Sequence, residues 1–361
     1  MEVGDNMREI GSEFSYIEYN VFENYREFSK GQNLFKDYVM TFSGRTAIET
    51  VLTNEPGIKS VLIPSYCCDS MMEPFKRRKI NISFYNVYYE DGFKINIDLN
   101  ENIDAVLWCN YFGYAFDAPD FSGFISNGGI VIEDITHSFL SKDMFNNQSN
   151  YLIGSIRKWS PVLCGGICAS IDKELCYKPN NVPQNTYLEK KKEAMILKQE
   201  YLNNSNNGLK EKFLEKYSKC NQWLSDNYSG LAIDSESLCI LKNTNWGKDY
   251  LQRRLNAMIL YKGIKSCHYV NSIFELEKME CPLFFPVIVK KSLRNSLRQE
   301  LIDNRIYCPV HWPKPTECES NLYDIELSLI CDQRYDEEDM TRIVDVIQAW
   351  DRKVENSKRG N

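Results

Sequence analysis

The sequence contains no apolar run of the roughly 18 residues that a membrane-spanning helix needs. It also lacks a Walker A loop, a G-x-G-x-x-G fingerprint, a G-x-S-x-G element and an internal repeat. Acidic residues outnumber basic ones, and the formal net charge is −7. Without a basic footprint, nucleic acids and anionic membrane surfaces are poor candidate partners.

The thirteen cysteines form no recognisable framework. Their odd number cannot pair completely within one chain, and the start "MEVGDNMREI" does not resemble a signal peptide. None of them shows the paired C-x-x-C spacing of a zinc site. We therefore expect reduced thiols, a cytoplasmic location and no metal.

Short apolar runs alternate with helical patterns in the first half of the chain, which indicates an α/β fold. Seven strands are predicted, with helices in the intervals between them. The predicted strands cover residues 38–42, 60–63, 82–87, 105–110, 130–133, 151–156 and 167–171.

The pattern changes after Lys178, where a turn-rich link leads into two charged helices over 188–202 and 209–227. The remainder predicts a small α+β unit. Its expected elements are helices over 248–261, 293–304 and 337–350, and strands over 283–289 and 327–330. We expect a large domain over 1–230 with a helical extension over 187–227, a small domain over 231–350 and a flexible tail over 351–361.

Asp134 and Lys158 are the candidate catalytic residues. Asp134 follows the apolar run 129–132, so it lies at the carboxyl end of a predicted strand, where ligands gather in open α/β sheets; it could also simply cap the next turn. Lys158 lies in a loop between predicted strands, although a lysine beside an arginine is usually a solvated surface residue. Pyridoxal phosphate needs a lysine amine for its aldehyde and a carboxylate for its ring nitrogen, so the ordered pair predicts that cofactor.

Eight sequence blocks together resemble the DegT/StrS (DegT/DnrJ/StrS) family of pyridoxal-phosphate-dependent sugar aminotransferases. They run in the family's order from about residue 11 and cover nearly the whole chain. The blocks are "GSEFSYIE", "SGRTAIETVL", "VLIPSYCCDSM", "NYFGY", "VIEDITHSF", "SIRKWSPVLCGG", "YCPVHWP" and "LSLICDQRY".

This resemblance implies the type I fold of pyridoxal-phosphate enzymes, with a mostly parallel seven-stranded sheet flanked by helices in the large domain. It also implies a homodimer with shared active sites. Lys158 would form the Schiff base, and Asp134 would pair with the pyridinium nitrogen and raise its pKa. Once released by substrate, the lysine would move the proton between substrate and cofactor carbons. His137 matches a position that touches the cofactor's phenolic oxygen, or is a polar residue opening a loop.

The cofactor phosphate has a candidate site at Ser43, Gly44 and Arg45, where a predicted helix begins and its free N–H groups would face an anion. The motif could also be a plain helix start with a serine cap. The family usually has threonine at Arg45, so this arginine either contacts the phosphate or points elsewhere. Ser155 is a second phosphate candidate, although many relatives place this serine further upstream.

Further expectations concern the cofactor ring and the substrate. Tyr66 lies in the stretch that supplies an aromatic ring to the cofactor face in the family. Cys68 is the alternative position for that contact, and the alternative role of Tyr66 is ordinary core packing. His311 and Trp312 match a segment that lines the substrate pocket in relatives. The alternative is that the His311 ring is simply held in place by packing against Trp312 and Pro313.

The resemblance implies an aminotransferase that moves an amino group from a donor, L-glutamate by default, to a keto-sugar acceptor. A nucleotide-linked sugar is the family default. One alternative is a lyase or dehydratase acting on a sugar, but in dehydratase relatives a histidine replaces the lysine found here as Lys158. The other is a non-catalytic relative that binds pyridoxal phosphate to regulate or stabilise an assembly.

Overall fold

The computed structural model describes residues 8–17, 35–99, 102–114, 118–141, 148–204 and 206–359. Its strands are β1 (Ile10–Gly11), β2 (Asp37–Thr41), β3 (Ser60–Pro64), β4 (Asn81–Tyr89), β5 (Phe93–Asn96), β6 (Ala105–Cys109), β7 (Ile130–Asp134), β8 (Tyr151–Gly154), β9 (Gly166–Ser170), β10 (Val270–Ser272), β11 (Phe285–Val289), β12 (Ile306–Tyr307) and β13 (Glu326–Leu329).

The α-helices are α1 (Gly44–Asn54), α2 (Asp69–Arg77), α3 (Ser122–Ser126), α4 (Asn185–Asn204), α5 (Asn207–Asn227), α6 (Ser235–Asn243), α7 (Trp246–Ile264), α8 (Arg294–Asp303), α9 (Leu322–Ile325) and α10 (Glu337–Arg359). Two short 3₁₀ turns cover Ile156–Lys158 and Leu276–Lys278. No helix in the described ranges is long and apolar enough to cross a membrane.

The central sheet has the strand order β2-β9-β8-β7-β6-β3-β4-β5. Its core, from β8 through β7, β6 and β3 to β4, is parallel, while β9 runs antiparallel to both of its neighbours. The α/β class and the seven predicted strands are confirmed. The eighth strand, β5, pairs antiparallel with β4 through a turn that holds Asp91 and Gly92 at positive φ. Its half-exposed alternation made β5 hard to recognise beside the continuous apolar runs of the buried strands.

The order of the strands brings several chain segments to one edge of the sheet. Because β9 is antiparallel to β8 and to β2, the carboxyl ends of β2 and β8 both flank the beginning of β9. The carboxyl ends of β6 and β7 lie at the same edge, with Cys109 paired to Asp134. The segments that follow β2, β6, β7 and β8 therefore meet there.

A second sheet of three antiparallel strands, β10-β11-β13, packs with α7, α8 and α10, and β1 pairs with β12. One hydrophobic cluster joins side chains of the central sheet to side chains of this second sheet. The helices predicted over 188–202 and 209–227 are confirmed as α4 and α5, which pack against each other. The proposed division into domains at residue 230 stays a prediction.

The predicted tail over 351–361 is wrong for most of its length, because α10 continues to Arg359. Asp351 is buried, and its carboxylate accepts hydrogen bonds from the backbone N–H groups of His268 and Tyr269, each at 2.9 Å. Val354 also packs on the main hydrophobic cluster. These contacts join α10 to the segment just before β10, which a local sequence pattern does not reveal.

Candidate active site

A pocket lies at the edge of the sheet where the segments after β2, β6, β7 and β8 meet. Its volume is about 670 Å³, including space that is open to solvent. All the predicted site residues except Tyr66 and His311 line it. The lining consists of Ser43, Gly44, Arg45, Ile48, Cys68, Ser70, Met71, Cys109, Asn110, Tyr111, Asp134, Thr136, His137, Ile153, Ser155, Arg157, Lys158 and Trp312.

Lys158 is part of this lining and is not a solvated surface residue. It ends the 3₁₀ turn that follows β8. The turn is fixed by the N–H groups of Ile156 and Arg157, which both donate to the carbonyl of Gly165, at 3.1 and 3.3 Å. Burial lowers the pKa of the Lys158 amine, while nearby Cys68 and Asp134 act in the opposite direction. Burial therefore favours the neutral amine, the form that attacks carbonyl carbon.

Asp134 is the last residue of β7 and is buried. Its Oδ1 accepts a hydrogen bond from Thr136 N at 2.8 Å, so the carboxylate does cap the following turn, as the alternative interpretation expected. Burial raises its pKa, whereas the hydrogen bonds from Thr136 and the charge of Lys158 lower it. Asp134 forms no salt bridge within the described residues. A buried carboxylate without an ion-pair partner suits a cationic ligand atom.

His137 is buried beside Asp134 and Trp312 at the pocket wall. Its Nδ1 accepts a hydrogen bond from Phe112 N at 3.3 Å, which leaves the ring proton on Nε2. The ring stacks on Trp312 with a centroid separation of 5.9 Å. Burial, together with the positive charge of Lys158, lowers the pKa of His137 well below its ordinary value, so the ring is a neutral hydrogen-bond donor.

The beginning of α1 forms an anion cradle in the same pocket. Ser43 is the N-cap, and its hydroxyl accepts from Thr46 N at 3.3 Å. A Cβ on Gly44 would lie 3.3 Å from the Cβ of Ser155, so Gly44 allows the helix start to approach the segment after β8. The first turn of α1 contains no acidic side chain. Free N–H groups and the positive end of the helix dipole therefore favour a phosphate here.

The guanidinium of Arg45 is directed away from this cradle. Its Nε lies 2.8 Å from the carboxylate of Glu73 on α2, and its Nη2 donates to Ser225 Oγ at 3.2 Å. The side chain lines the pocket, but its charged group pairs with a carboxylate. The structure favours the alternative in which Arg45 points elsewhere.

The prediction for Tyr66 is not supported, because Tyr66 is fully buried behind the pocket and does not line it. Its hydroxyl donates to Glu326 Oε2 at 3.0 Å, and its ring stacks on Tyr111 at 5.9 Å. Cys68, the alternative position in that stretch, does line the pocket. The hydrogen bond to Glu326 draws the Tyr66 ring toward the second sheet.

His311 also lies behind the pocket wall and not in it. Its Nδ1 is 2.7 Å from Ser328 Oγ, and Ser328 donates to Glu326 Oε1 at 2.6 Å. The His311 ring lies 5.7 Å from that of His137 and 5.1 Å from that of Trp312. Tyr66, Glu326, Ser328 and His311 thus form a buried hydrogen-bonded chain that supports the pocket wall. Trp312 lines the pocket, as predicted.

Sequence reasoning missed Thr136, which organises the site. Its N–H donates to Asp134, its Oγ1 accepts from Ser155 N at 3.0 Å, and its carbonyl accepts from Trp159 Nε1 at 2.7 Å. One residue therefore connects the segment that carries the aspartate to the segment that carries the lysine. The position directly after a strand-terminal aspartate could have suggested this role.

Asn110 and Arg157 were also missed, although both line the pocket. Asn110 follows β6, the strand beside β7, and donates to Glu133 Oε1 at 2.6 Å. Its place after a buried apolar strand was a usable signal. In the sequence, Arg157 stands out only as the residue before Lys158.

The sequence matches no protein-family model and no curated protein. Solved structures do match. DesI, determined in the presence of its TDP-sugar product, shares 14% identity and superposes with a TM-score of 0.63, covering 93% of this chain and 87% of that one. A DegT DnrJ EryC1 StrS aminotransferase from Brucella abortus shares 14% identity, with a TM-score of 0.61 and coverage of 90% and 89%. The chain has the fold of the DegT/DnrJ/EryC1/StrS aminotransferases.

The PLP form of Spr1654 from Streptococcus pneumoniae is also similar in fold, with 13% identity, a TM-score of 0.62 and coverage of 95% of this chain and 94% of that one. The resemblance first seen in the sequence blocks is therefore confirmed at the level of the fold. The match extends over nearly the whole of both chains, so the fold includes the second sheet and the long helices as well as the central sheet.

Proposed function

We propose that the protein is a pyridoxal-phosphate-dependent aminotransferase that transfers an amino group from an amino acid to a keto-sugar. The observation that carries this proposal is the meeting of Lys158, Asp134 and the beginning of α1 in one pocket. A lysine whose pKa is lowered, a buried carboxylate and an anion cradle are the three protein groups that this cofactor requires.

The described residues fit the cofactor at each of its polar atoms. Asp134, which has no ion-pair partner among the described residues, would hold the ring nitrogen in its charged form. The helix start at Ser43 and Gly44, together with Ser155, would hold the phosphate. The Nε2–H of His137 would donate to the phenolic oxygen. When bound, the cofactor supplies the electron sink for bonds at the substrate's α-carbon.

Lys158 would hold the cofactor's aldehyde in the resting enzyme and act as the general base and acid once substrate has replaced it. Its lowered pKa suits both tasks, since a neutral amine is the nucleophile and the proton acceptor. The turn held by Gly165 limits the backbone motion of the lysine.

The acceptor in this proposal follows one of the similar structures. DesI was determined in the presence of its TDP-sugar product, which supports a sugar acceptor. It also supports the more specific proposal that the acceptor is a nucleotide-linked sugar. L-Glutamate is the proposed donor. We also propose a cytoplasmic homodimer in which each subunit completes the active site of the other.

The test is the visible absorbance spectrum of the purified protein with pyridoxal phosphate, before and after addition of L-glutamate. We expect a lysine-bound cofactor band that glutamate bleaches. Lys158→Ala should keep its fold and lose both the band and the turnover. Lys198→Met is the matched control: Lys198 is also buried, and burial lowers its pKa to about 7, so its amine could capture an aldehyde non-specifically.

The outcomes separate the alternatives. If Lys198→Met loses the band and Lys158→Ala keeps it, the assignment of the lysine is wrong. If the band forms but no amino donor changes it, a lyase or a non-catalytic relative becomes the better interpretation. If no band forms in the wild type, the protein does not use this cofactor.

A further inference from the structure

A second, smaller pocket adjoins the candidate active site and shares Arg157 with it. Its volume is about 240 Å³, including space open to solvent. Segment 8–17 contributes Glu13 and Phe14 to its wall, and α4 contributes Lys191 and Met195. Arg157 directly precedes Lys158 in the 3₁₀ turn, so the second pocket begins one residue from the proposed catalytic amine.

The charges around this pocket leave an excess of positive charge. Glu13 pairs with Lys191 at 3.3 Å, and the pKa of its carboxyl is lowered to about 2 by Lys191 and, to a smaller extent, by Arg157 and Lys198. The pocket lining itself sets two cations, Arg157 and Lys191, against the single carboxylate of Glu13. The Arg157 guanidinium forms no salt bridge and donates no hydrogen bond within the described parts of the chain.

Ser160 gives an independent indication of a ligand. Its side chain lines the second pocket and is 1% exposed, yet its Oγ has no hydrogen-bond partner among the described residues. Buried hydroxyls are normally paired, because an unpaired one loses its hydrogen bonds to water without replacement. An anion's oxygen atom in the pocket would accept a hydrogen bond from Ser160 and neutralise Arg157.

We propose that this pocket is an anion-binding subsite, in which Arg157 and Ser160 bind a carboxylate or phosphate group of a substrate. The reacting end of that substrate would lie beside Lys158. The inference rests on the proposed function and deepens it. The preferred substrate would place its negatively charged group in the second pocket while its reacting carbon lies in the first. A pocket lined by Arg157 and Ser160 is suited to a compact anionic group.

The test measures the binding of two probes, glutarate and inorganic phosphate, by isothermal titration calorimetry. Ser160→Ala removes a hydroxyl that has no partner in the described structure, so the fold should be unaffected. It should weaken the binding of at least one probe about tenfold, because hydrogen bonds to charged groups are among the stronger ones. Arg157→Gln should weaken the same probe further. Ser170→Ala is the matched control, because Ser170 is also buried with an unpaired Oγ but lies on β9 outside the pocket.

Loss of glutarate binding alone would identify the group as the carboxylate of an amino or 2-oxo acid. Loss of phosphate binding alone would identify it as a phosphate of the acceptor, and loss of both would support a general anion subsite. Unchanged binding in Ser160→Ala, an equal loss in Ser170→Ala, or no binding to the wild type would overturn the proposal. Each titration is run with and without pyridoxal phosphate, so failure of the cofactor assignment is recognised separately from failure of the subsite.

Discussion

The ionisation of Lys158 and of Asp134 depends mainly on where they lie. Burial lowers the pKa of the lysine and raises that of the aspartate, while each group's charge opposes the effect on the other. The same two residue types on a surface would keep their ordinary pKa values. At the scale of the residue, burial favours the neutral form of the amine, and the carboxylate has no salt-bridge partner among the described residues.

Asp134→Asn tests whether the Asp134 carboxylate binds a cationic ligand atom. The asparagine keeps an oxygen for the Thr136 N–H but removes a buried charge that has no salt-bridge partner in the described structure. We expect the cofactor-free variant to be at least as stable as the wild type in thermal unfolding. We also expect the rise in Tm on adding pyridoxal phosphate to shrink, and turnover to fall by about 10²-fold or more. An unchanged cofactor-dependent rise would contradict the proposed role.

A second prediction concerns how the free energy of unfolding depends on pH, and it rests on Glu326. Burial raises the pKa of this carboxyl to about 8, against hydrogen bonds from Ser328 and Tyr66 that lower it. Between the ordinary pKa of 4.5 and this value, the folded protein retains a proton that the unfolded chain has released. The contribution of Glu326 to the free energy of unfolding therefore falls as pH rises through this window and becomes constant above it.

Glu326→Gln removes this titration. Relative to the wild type, the variant should gain stability between pH 6 and pH 8 by on the order of 2 to 3 kcal/mol, at about 1.4 kcal/mol for each pH unit. Urea unfolding at several pH values measures the difference. Glu211→Gln, at an exposed position on α5, is the control and should show no such trend. A constant difference between Glu326→Gln and the wild type would show that Glu326 does not titrate in this range.

At the scale of the element, the site depends on the position of β9 between β2 and β8. Ser43 and Ser155 come from segments 112 residues apart, and they meet because both flanking strands run opposite to β9. Predicting the individual strands was possible, since each is a short and mostly apolar segment. Their order was not readable locally, because a buried strand accepts neighbours on either side.

Gly166→Ala tests the contact at the first residue of β9. A Cβ at this position would lie 2.5 Å from the carbonyl carbon of Ser43 and 2.6 Å from Thr41 Oγ1, so the backbone at the beginning of α1 would have to shift. We expect a loss of about 1 to 3 kcal/mol in the free energy of unfolding, with weaker binding of pyridoxal phosphate. Gly57→Ala, where no atom lies within 4 Å of the added Cβ, is the control. Equal effects of the two variants would show that the contact at Ser43 is unimportant.

At the scale of the whole molecule, the main hydrophobic cluster includes residues from Ile10 to Trp350, so the second sheet packs on the large sheet through shared apolar contacts. The buried hydrogen bonds that connect Tyr66 to His311 lie at this junction. Tyr66 follows β3 of the central sheet, while Glu326 and Ser328 belong to β13 of the second sheet. The pocket wall near His137 and Trp312 is therefore supported from both sheets.

The proposed homodimer is a prediction at this scale. If each subunit completes its partner's site, cofactor binding and turnover require association. Light scattering at micromolar concentration should give twice the mass of one chain, and dilution should reduce specific activity as dimers separate. A monomer at micromolar concentration that binds the cofactor and turns over would show that the site is not shared.

The sequence by itself determined seven strands of the central sheet, the long helices and the ordered pair Asp134 and Lys158. These features are local: a run of apolar β-branched residues favours a strand wherever it lies, and a strand's end places the next polar residue at the edge of the sheet. The resemblance of the eight blocks to one family was confirmed at the level of the fold for the same reason. Several of the eight blocks include residues that line the pocket.

Only the tertiary structure decided which of these side chains face the pocket. It paired Arg45 with Glu73, placed Cys68 in the pocket and Tyr66 behind its wall, and extended α10 through most of the predicted tail. Each outcome depends on partners far away in sequence, such as Tyr66 with Glu326, 260 residues apart. Burial and hydrogen-bond partners arise from packing between distant segments, and no local pattern of residues contains that information.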